Sequence, residues 1–129
     1  MSQTSRIGMN DAVYFFDTYA FFEIIRGNPA YSKYVDTPAV TCIFNLAELN
    51  YNLKKSMEKK LADYYTDAYS SFLVEVTAED IKKAMDMKSR KRHLSIPDAV
   101  GYTISRRLGL KFLTGDSDFK NIKNVEYVK

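Results

Sequence analysis

Four carboxylates, Asp17, Glu48, Asp98 and Asp116, fall where the elements of an alternating α/β chain begin or end. Asp17 closes the apolar run Val13-Tyr14-Phe15-Phe16, and Asp116 follows Phe112-Leu113 through Thr114-Gly115. Asp98 comes after Pro97 at the start of a helical pattern, and Glu48 lies inside a helix that follows a second apolar run. In an open parallel sheet, ligands bind at the carboxyl ends of the strands. Four carboxylates gathered there repel one another unless a cation lies among them. No lysine or arginine is adjacent in sequence to any of the four. Oxygen-only donors suit Mg²⁺ or Mn²⁺. One or two such ions can activate a water and stabilise the leaving oxygen of a phosphodiester. Each acid also has a plain structural reading. Asp17 can cap a helix, and Asp98 can complete a capping box with Ser95. Glu48 can belong to a solvated face with Asn45 and Asn52, and Asp116 with Asp118 can form a polar turn.

The elements that must position these acids follow from periodicity. Residues 12–16 are too short and too apolar for a helix and predict a buried strand. Asp17-Thr18 opens a helix that Gly27-Asn28-Pro29 stops, and a short helical piece over residues 31–35 follows. A second strand spans residues 39–42. A helix over residues 43–56 carries Ile43, Leu46, Leu49, Leu53 and Met57 on one side and Asn45, Glu48 and Asn52 on the other. Another, over residues 57–70, has Leu61, Tyr64, Tyr65 and Ala68 as its apolar stripe. Residues 72–76 predict a third strand. Thr77 with Asp80 starts a helix through Met85, and Ser95 starts the next, which Gly109 caps. Residues 111–113 and 125–128 predict a fourth strand and a fifth at an edge. Strands alternating with helices imply a parallel sheet covered on both faces. Right-handed crossovers put the strand ends at Asp17, Cys42, Val76 and Leu113 on one edge.

The 129 residues fit one domain, residues 1–129, large enough to bury a core without staples. The single cysteine, Cys42, excludes an internal disulfide framework and suits a reducing compartment. Flanked by Val40-Thr41 and Ile43-Phe44, it reads as a buried thiol and not a nucleophile. No apolar stretch approaches the roughly 20 residues of a membrane span, and Met1 to Arg6 lack an apolar signal core, so the expected location is cytoplasmic. The net charge of +3 permits nucleic-acid binding without demanding it.

Four segments carry a family resemblance: Val13-Tyr14-Phe15-Phe16-Asp17-Thr18-Tyr19-Ala20, Asn45-Leu46-Ala47-Glu48-Leu49, Leu94-Ser95-Ile96-Pro97-Asp98-Ala99 and Leu113-Thr114-Gly115-Asp116-Ser117-Asp118-Phe119. In order, they resemble the four motifs of PIN domains, over nearly the whole chain from residue 12. The resemblance implies a three-layer α/β/α fold with a central, mainly parallel sheet of four or five strands. It implies Mg²⁺- or Mn²⁺-dependent cleavage of RNA, with Asp17, Glu48, Asp98 and Asp116 as metal-binding acids, Asp118 accessory and Thr114 orienting the site. Products with 5′-phosphate and 3′-hydroxyl ends follow from the same resemblance. Many compact members resemble the toxin of a toxin–antitoxin pair, of the virulence-associated protein C type. That implies an antitoxin protein partner and a homodimer. Other members act in RNA processing or quality control, and a binding module with little catalysis is the rival from a different class.

Lys88, Arg90, Lys91 and Arg92 belong to a basic run leading into the Asp98 motif and are candidates to hold RNA phosphates; a solvated helix face is the plain reading. His93 is the only histidine, so a two-histidine acid–base mechanism is excluded. Tyr19, beside Asp17, is the aromatic candidate for substrate contact. A phosphoacceptor receiver domain would need an aspartate after the third strand, where Val76-Thr77 stands. A nucleotide-binding fold would need a glycine-rich loop after the first.

Overall fold

The computed structural model describes residues 13–129. Ala12, the first residue of the expected first strand, lies outside them, as does the segment Met1 to Arg6. Among the described residues, four strands form one wholly parallel sheet: β1 (Tyr14–Phe16), β2 (Ala39–Val40), β3 (Lys111–Thr114) and β4 (Val125–Tyr127), in the order β2-β1-β3-β4. Five α-helices surround it: α1 (Thr18–Ile25), α2 (Ile43–Lys54), α3 (Lys59–Tyr69), α4 (Ala78–Arg90) and α5 (Ile96–Leu108). The piece expected near residues 31–35 is a 3₁₀ turn over Pro29–Tyr34.

Successive strand residues point to opposite faces, and this alternation divides the core. Phe15 and Phe112 pack on one face with Ala84, Val100 and Ile104 of α4 and α5. Phe16 and Leu113 pack on the other with Ala20, Leu49 and Ala62 of α1, α2 and α3. The result is three layers, α/β/α. The Phe15 and Phe112 rings stack at 5.7 Å between neighbouring strands. Thr77 and Asp80 form a reciprocal capping box at the start of α4, and Gly109, at φ 69°, ends α5 in the left-handed region.

The expected third strand, residues 72–76, is not formed. A 3₁₀ turn over Ser70–Phe72 runs straight into the edge of the two-residue β2, leaving one parallel bridge, Thr41 with Leu73. Beyond it, the Glu75 carbonyl accepts from Arg107 Nη2 at 3.1 Å instead of from a neighbouring strand. Arg107 is itself fixed by Asp80 through bonds of 2.8 and 2.9 Å. The apolar residues of this segment still pack, with Val74 and Val76 against the α4–α5 face.

The apolar stripe expected on α3 also shifts. Leu61 and Tyr64 are exposed, and Ala62 is the buried residue, with Tyr65 and Tyr69 packed beside it. Aromatic rings are large enough to cover the core from a helix flank, so the inward line can pass through a small residue. Ile43, at the first turn of α2, is likewise exposed.

Gly101 lets α5 sit directly on the sheet. A Cβ there would lie 2.9 Å from Phe15 Cε1, 2.9 Å from Asn45 Oδ1 and 3.1 Å from Phe112 Cε1. Gly101→Ala gains up to about 1 kcal/mol of helix propensity but overpacks three buried side chains, at a cost of about 1–3 kcal/mol. A net fall in the urea midpoint is expected, and an unchanged or higher midpoint would contradict this packing.

Candidate functional site

The β1–β3 register sets the centre of the site. Phe16 pairs with Leu113, so the next residues, Asp17 and Thr114, stand side by side at the strand ends. The Thr114 hydroxyl donates to Asp17 Oδ2 at 2.7 Å and accepts the Asp116 amide at 3.1 Å. Asp17 is the N-terminal flanking residue of α1, yet its side chain makes no capping bond. Its carboxylate turns instead to Thr114 and to Asn45 Nδ2, which donates to Oδ1 at 3.4 Å.

Asn45 and Glu48 lie one turn apart on α2, so both face α1 and α5. Glu48 is half-buried and Asn45 fully buried. The expectation that Asn45 shares a solvated face is therefore corrected. The first turn of α2 is wedged between two helices, and Asn45 fills the wedge. It also contacts Thr18 Oγ1 and the Pro97 carbonyl and accepts from the buried Cys42 thiol at 3.0 Å. The signal was present in the sequence, since Asn45 sits at i−3 from Glu48.

Asp98 does make its capping box: Oδ2 accepts the Ser95 amide at 3.0 Å while the Ser95 hydroxyl accepts the Asp98 amide. Among the described residues, the second carboxylate oxygen takes no hydrogen bond, and the box fixes the side chain at the positive end of α5. Asp17, Glu48 and Asp98 each offer an oxygen within 4.8 Å of the others. Asp116 lines the same cleft, of about 630 Å³, with Thr18, Tyr19 and Ser95. Gly115 allows this approach, because a Cβ there would collide with the Tyr19 ring and the Val128 carbonyl.

Other expected site residues stand elsewhere. Asp118 is exposed and off the cleft wall; its amide donates to Asp116 Oδ1 at 3.0 Å, so its backbone orients Asp116. Lys88, Arg90, Lys91 and Arg92 do not line the cleft. Lys88 Nζ is taken up by the Arg92 and Leu94 carbonyls at 3.3 and 2.7 Å, tying down the turn after α4. Arg90, Lys91, Arg92 and His93 are exposed on that turn. The cations on the cleft wall are Arg26 and Lys55, which the sequence reading did not single out.

Among the described residues, none of the four acids takes part in a salt bridge. Burial pushes the Asp17 carboxyl up to about 8, with repulsion from Asp98 and Glu48 adding to it and the Thr114 hydrogen bond opposing it. Burial likewise raises Asp98 to about 6, against its Ser95 bonds and with repulsion from Glu48 and Asp116. A site that holds buried carboxylates at this energetic cost fits a hard divalent cation: the donors are all oxygen, and no side-chain cation among the described residues neutralises them.

The sign of the pH dependence follows. In the metal-free protein, Asp17 and Asp98 hold protons in the folded state at pH values where the unfolded chain has lost them. Stability therefore falls as pH rises from about 4 to about 8. Asp80, lowered despite its own burial by hydrogen bonds from Arg107 and Thr77, loses its contribution only below the ordinary aspartate range, outside this window. Thermal melts in EDTA should show a falling Tm across the window. Asp17→Asn should remove much of the slope and raise the Tm at pH 8; a flat or rising wild-type profile would contradict the burial of these charges.

The family model for the PIN domain matches residues 14–125. No curated protein sequence matches the chain. Among solved structures, the chain is similar to Mycobacterium tuberculosis VapC20, described as a sarcin–ricin loop cleaving toxin. The TM-score is 0.76 at 21% identity, covering 92% of this chain and 100% of that one. It is similar to a toxin–antitoxin complex from Klebsiella pneumoniae, at TM-score 0.70 and 18% identity over 88% and 95% of the two chains. It is also similar to VapBC2 from Rickettsia felis bound to a promoter DNA fragment, at TM-score 0.69 and 18% identity over 91% and 99%. The family match contains all four acids, the paired strands β1 and β3 that align Asp17 with Thr114, and the helices that carry Glu48 and Asp98, and the chain belongs to the PIN domain family.

Proposed function

We propose that this chain, as a single domain, is a divalent-metal-dependent ribonuclease and the toxin of a toxin–antitoxin pair, acting in the cytoplasm. The observation that carries the nuclease reading is the convergence of Asp17, Glu48 and Asp98 within 4.8 Å, beside the ends of the paired strands β1 and β3 and with no salt-bridge partner among the described residues. The similarity to the Klebsiella pneumoniae toxin–antitoxin complex and to the VapC20 toxin supports the toxin reading, and the sarcin–ricin loop cleaved by VapC20 supports RNA as the substrate.

Asp17, Glu48, Asp98 and Asp116 would hold Mg²⁺ or Mn²⁺. When bound, the metal supplies activation of water and charge stabilisation at the phosphodiester. The chain's own residues do the positioning. Thr114 fixes the rotamer of Asp17 and the backbone of Asp116 together, so two acids from different strands move as one unit. Asn45 holds the other Asp17 oxygen and links α2 to the Pro97 carbonyl at the start of α5. The Ser95 box presents Asp98. An antitoxin would inhibit by placing an arginine or lysine among the four acids, satisfying their charge and excluding the scissile phosphate. A homodimer would set two such clefts in one assembly.

Purified protein should cleave RNA with Mg²⁺ or Mn²⁺ and lose that activity in EDTA, leaving 5′-phosphate and 3′-hydroxyl ends. Asp17→Asn and Asp98→Asn should lower the rate by about a hundredfold or more, and Thr114→Val by the ten- to hundredfold of an outer-shell partner. Undiminished cleavage in EDTA, or a 2′,3′-cyclic phosphate product, would reject the reading. Light scattering over a concentration series should give the mass of a dimer, and purification from the native host should recover a small basic partner. A strictly monomeric mass would reject the dimer, and an active protein recovered alone and harmless on expression would move the role to RNA processing.

A further inference from the structure

The cleft continues past the acids as a trough between α1 and α2. On α1, Tyr19, Phe22 and Arg26 recur at i, i+3 and i+7; on α2, Glu48, Asn52 and Lys55 recur at i, i+4 and i+7, and all six line the cleft. The Thr18 hydroxyl donates to the Asn45 carbonyl at 3.3 Å, which pins the N-terminal ends of the two helices together, so both stripes run the same way. One end of the trough is acidic, at Asp17 and Glu48. The other end carries Arg26 and Lys55. Seven residues of helix advance about 10.5 Å, which sets the distance between the two ends.

Both cations sit at helix C-termini, where they offset the helix dipole. That role is open to a cation on any side of the helix end and does not account for both facing the trough. Their surroundings differ from those of the neighbouring Lys54, which is paired with Asp63 at 3.1 Å. Lys55 has no carboxylate partner among the described residues; its ammonium lies 4.3 Å from the centroid of the Tyr51 ring. Arg26 Nε lies 3.0 Å from Glu23 Oε2, but the N–H is not aimed at it, and that oxygen accepts no hydrogen bond. Most of the Arg26 side chain is exposed, at 64%. Its remaining guanidinium N–H groups are in the fork arrangement that suits a phosphate. A polyanion crossing four carboxylates needs compensating charge beyond the acids, and these two side chains supply it.

Resting on the nuclease reading above, we propose that Arg26 and Lys55 form a phosphate subsite for single-stranded RNA, separate from the cleavage centre. It holds a backbone phosphate to one side of the scissile bond, within about three nucleotides at the roughly 3.4 Å axial charge spacing of a stacked strand. Tyr19 and Phe22 line the wall between the two points and offer apolar surface to the intervening bases.

The test uses Lys55→Gln, Arg26→Gln and the double variant. Lys111→Gln, exposed at the opposite end of β3, is the charge control. Binding of a fluorescent single-stranded RNA of about ten nucleotides is measured by anisotropy on the Asp98→Asn background with Mg²⁺ across a salt series. Each subsite variant should reduce the slope of log K against log salt by about 0.7, the value for one lost phosphate contact on a single strand. Lys111→Gln should leave the slope unchanged. Arg26→Lys should keep most of the slope, which separates charge from any effect of unpairing Glu23. In steady-state cleavage, the variants should raise KM more than they lower kcat. A single neutral methylphosphonate walked along the RNA should abolish the difference between wild type and Lys55→Gln at one position. Slopes unchanged in the single and double variants, or an equal loss in Lys111→Gln, would overturn the subsite while leaving the acid assignment standing. Cleavage by wild type that survives EDTA would overturn the metal-dependent reading of the acids, while the binding slopes would still decide the subsite.

Discussion

The buried carboxylate of Asp17 is the constraint around which the rest of the structure is arranged. A charge in that position is costly unless it is hydrogen-bonded and countered. Two of the requirements are met from distant parts of the chain, by the Thr114 hydroxyl across the sheet and the Asn45 amide from α2. The third, a positive charge, is met by no side chain among the described residues. The parallel register, the wedge of α2 between α1 and α5, and the packing of Gly101 against Asn45 all serve to keep this one group in place.

Much of this arrangement was legible in the sequence because it depends on local signals. The apolar run ending at Asp17 and the turn Thr114-Gly115-Asp116 mark strand ends without reference to anything else, and Ser95 with Asp98 spells out a capping box. The failures have a common origin in tertiary context. Residues 72–76 have the composition of a strand but meet a partner only two residues long, and Arg107 claims the next carbonyl. Asn45 has the polarity of a surface residue but lies where three helices converge. Arg26 and Lys55 gave no signal as single residues; only the pairing of α1 with α2 brings them to one cleft.

The cleft is electrically polar along its length. Its acidic end is anchored by the buried, hydrogen-bonded carboxylates of Asp17 and Asp98, and its basic end is made of side chains on flexible stems. Rigid geometry at the carboxylates and looser geometry at the cations match the different demands of coordination, which is directional, and of phosphate attraction, which falls off slowly with distance.

The hydrogen bond between Thr114 and Asp17 joins residues 97 positions apart. Closing so long a loop carries an entropic cost that is recovered only when the non-local pairing of β1 with β3 is complete. A partly folded chain can possess every helix and still lack the juxtaposed acids, so chemical competence at this site reports on the integrity of the whole domain.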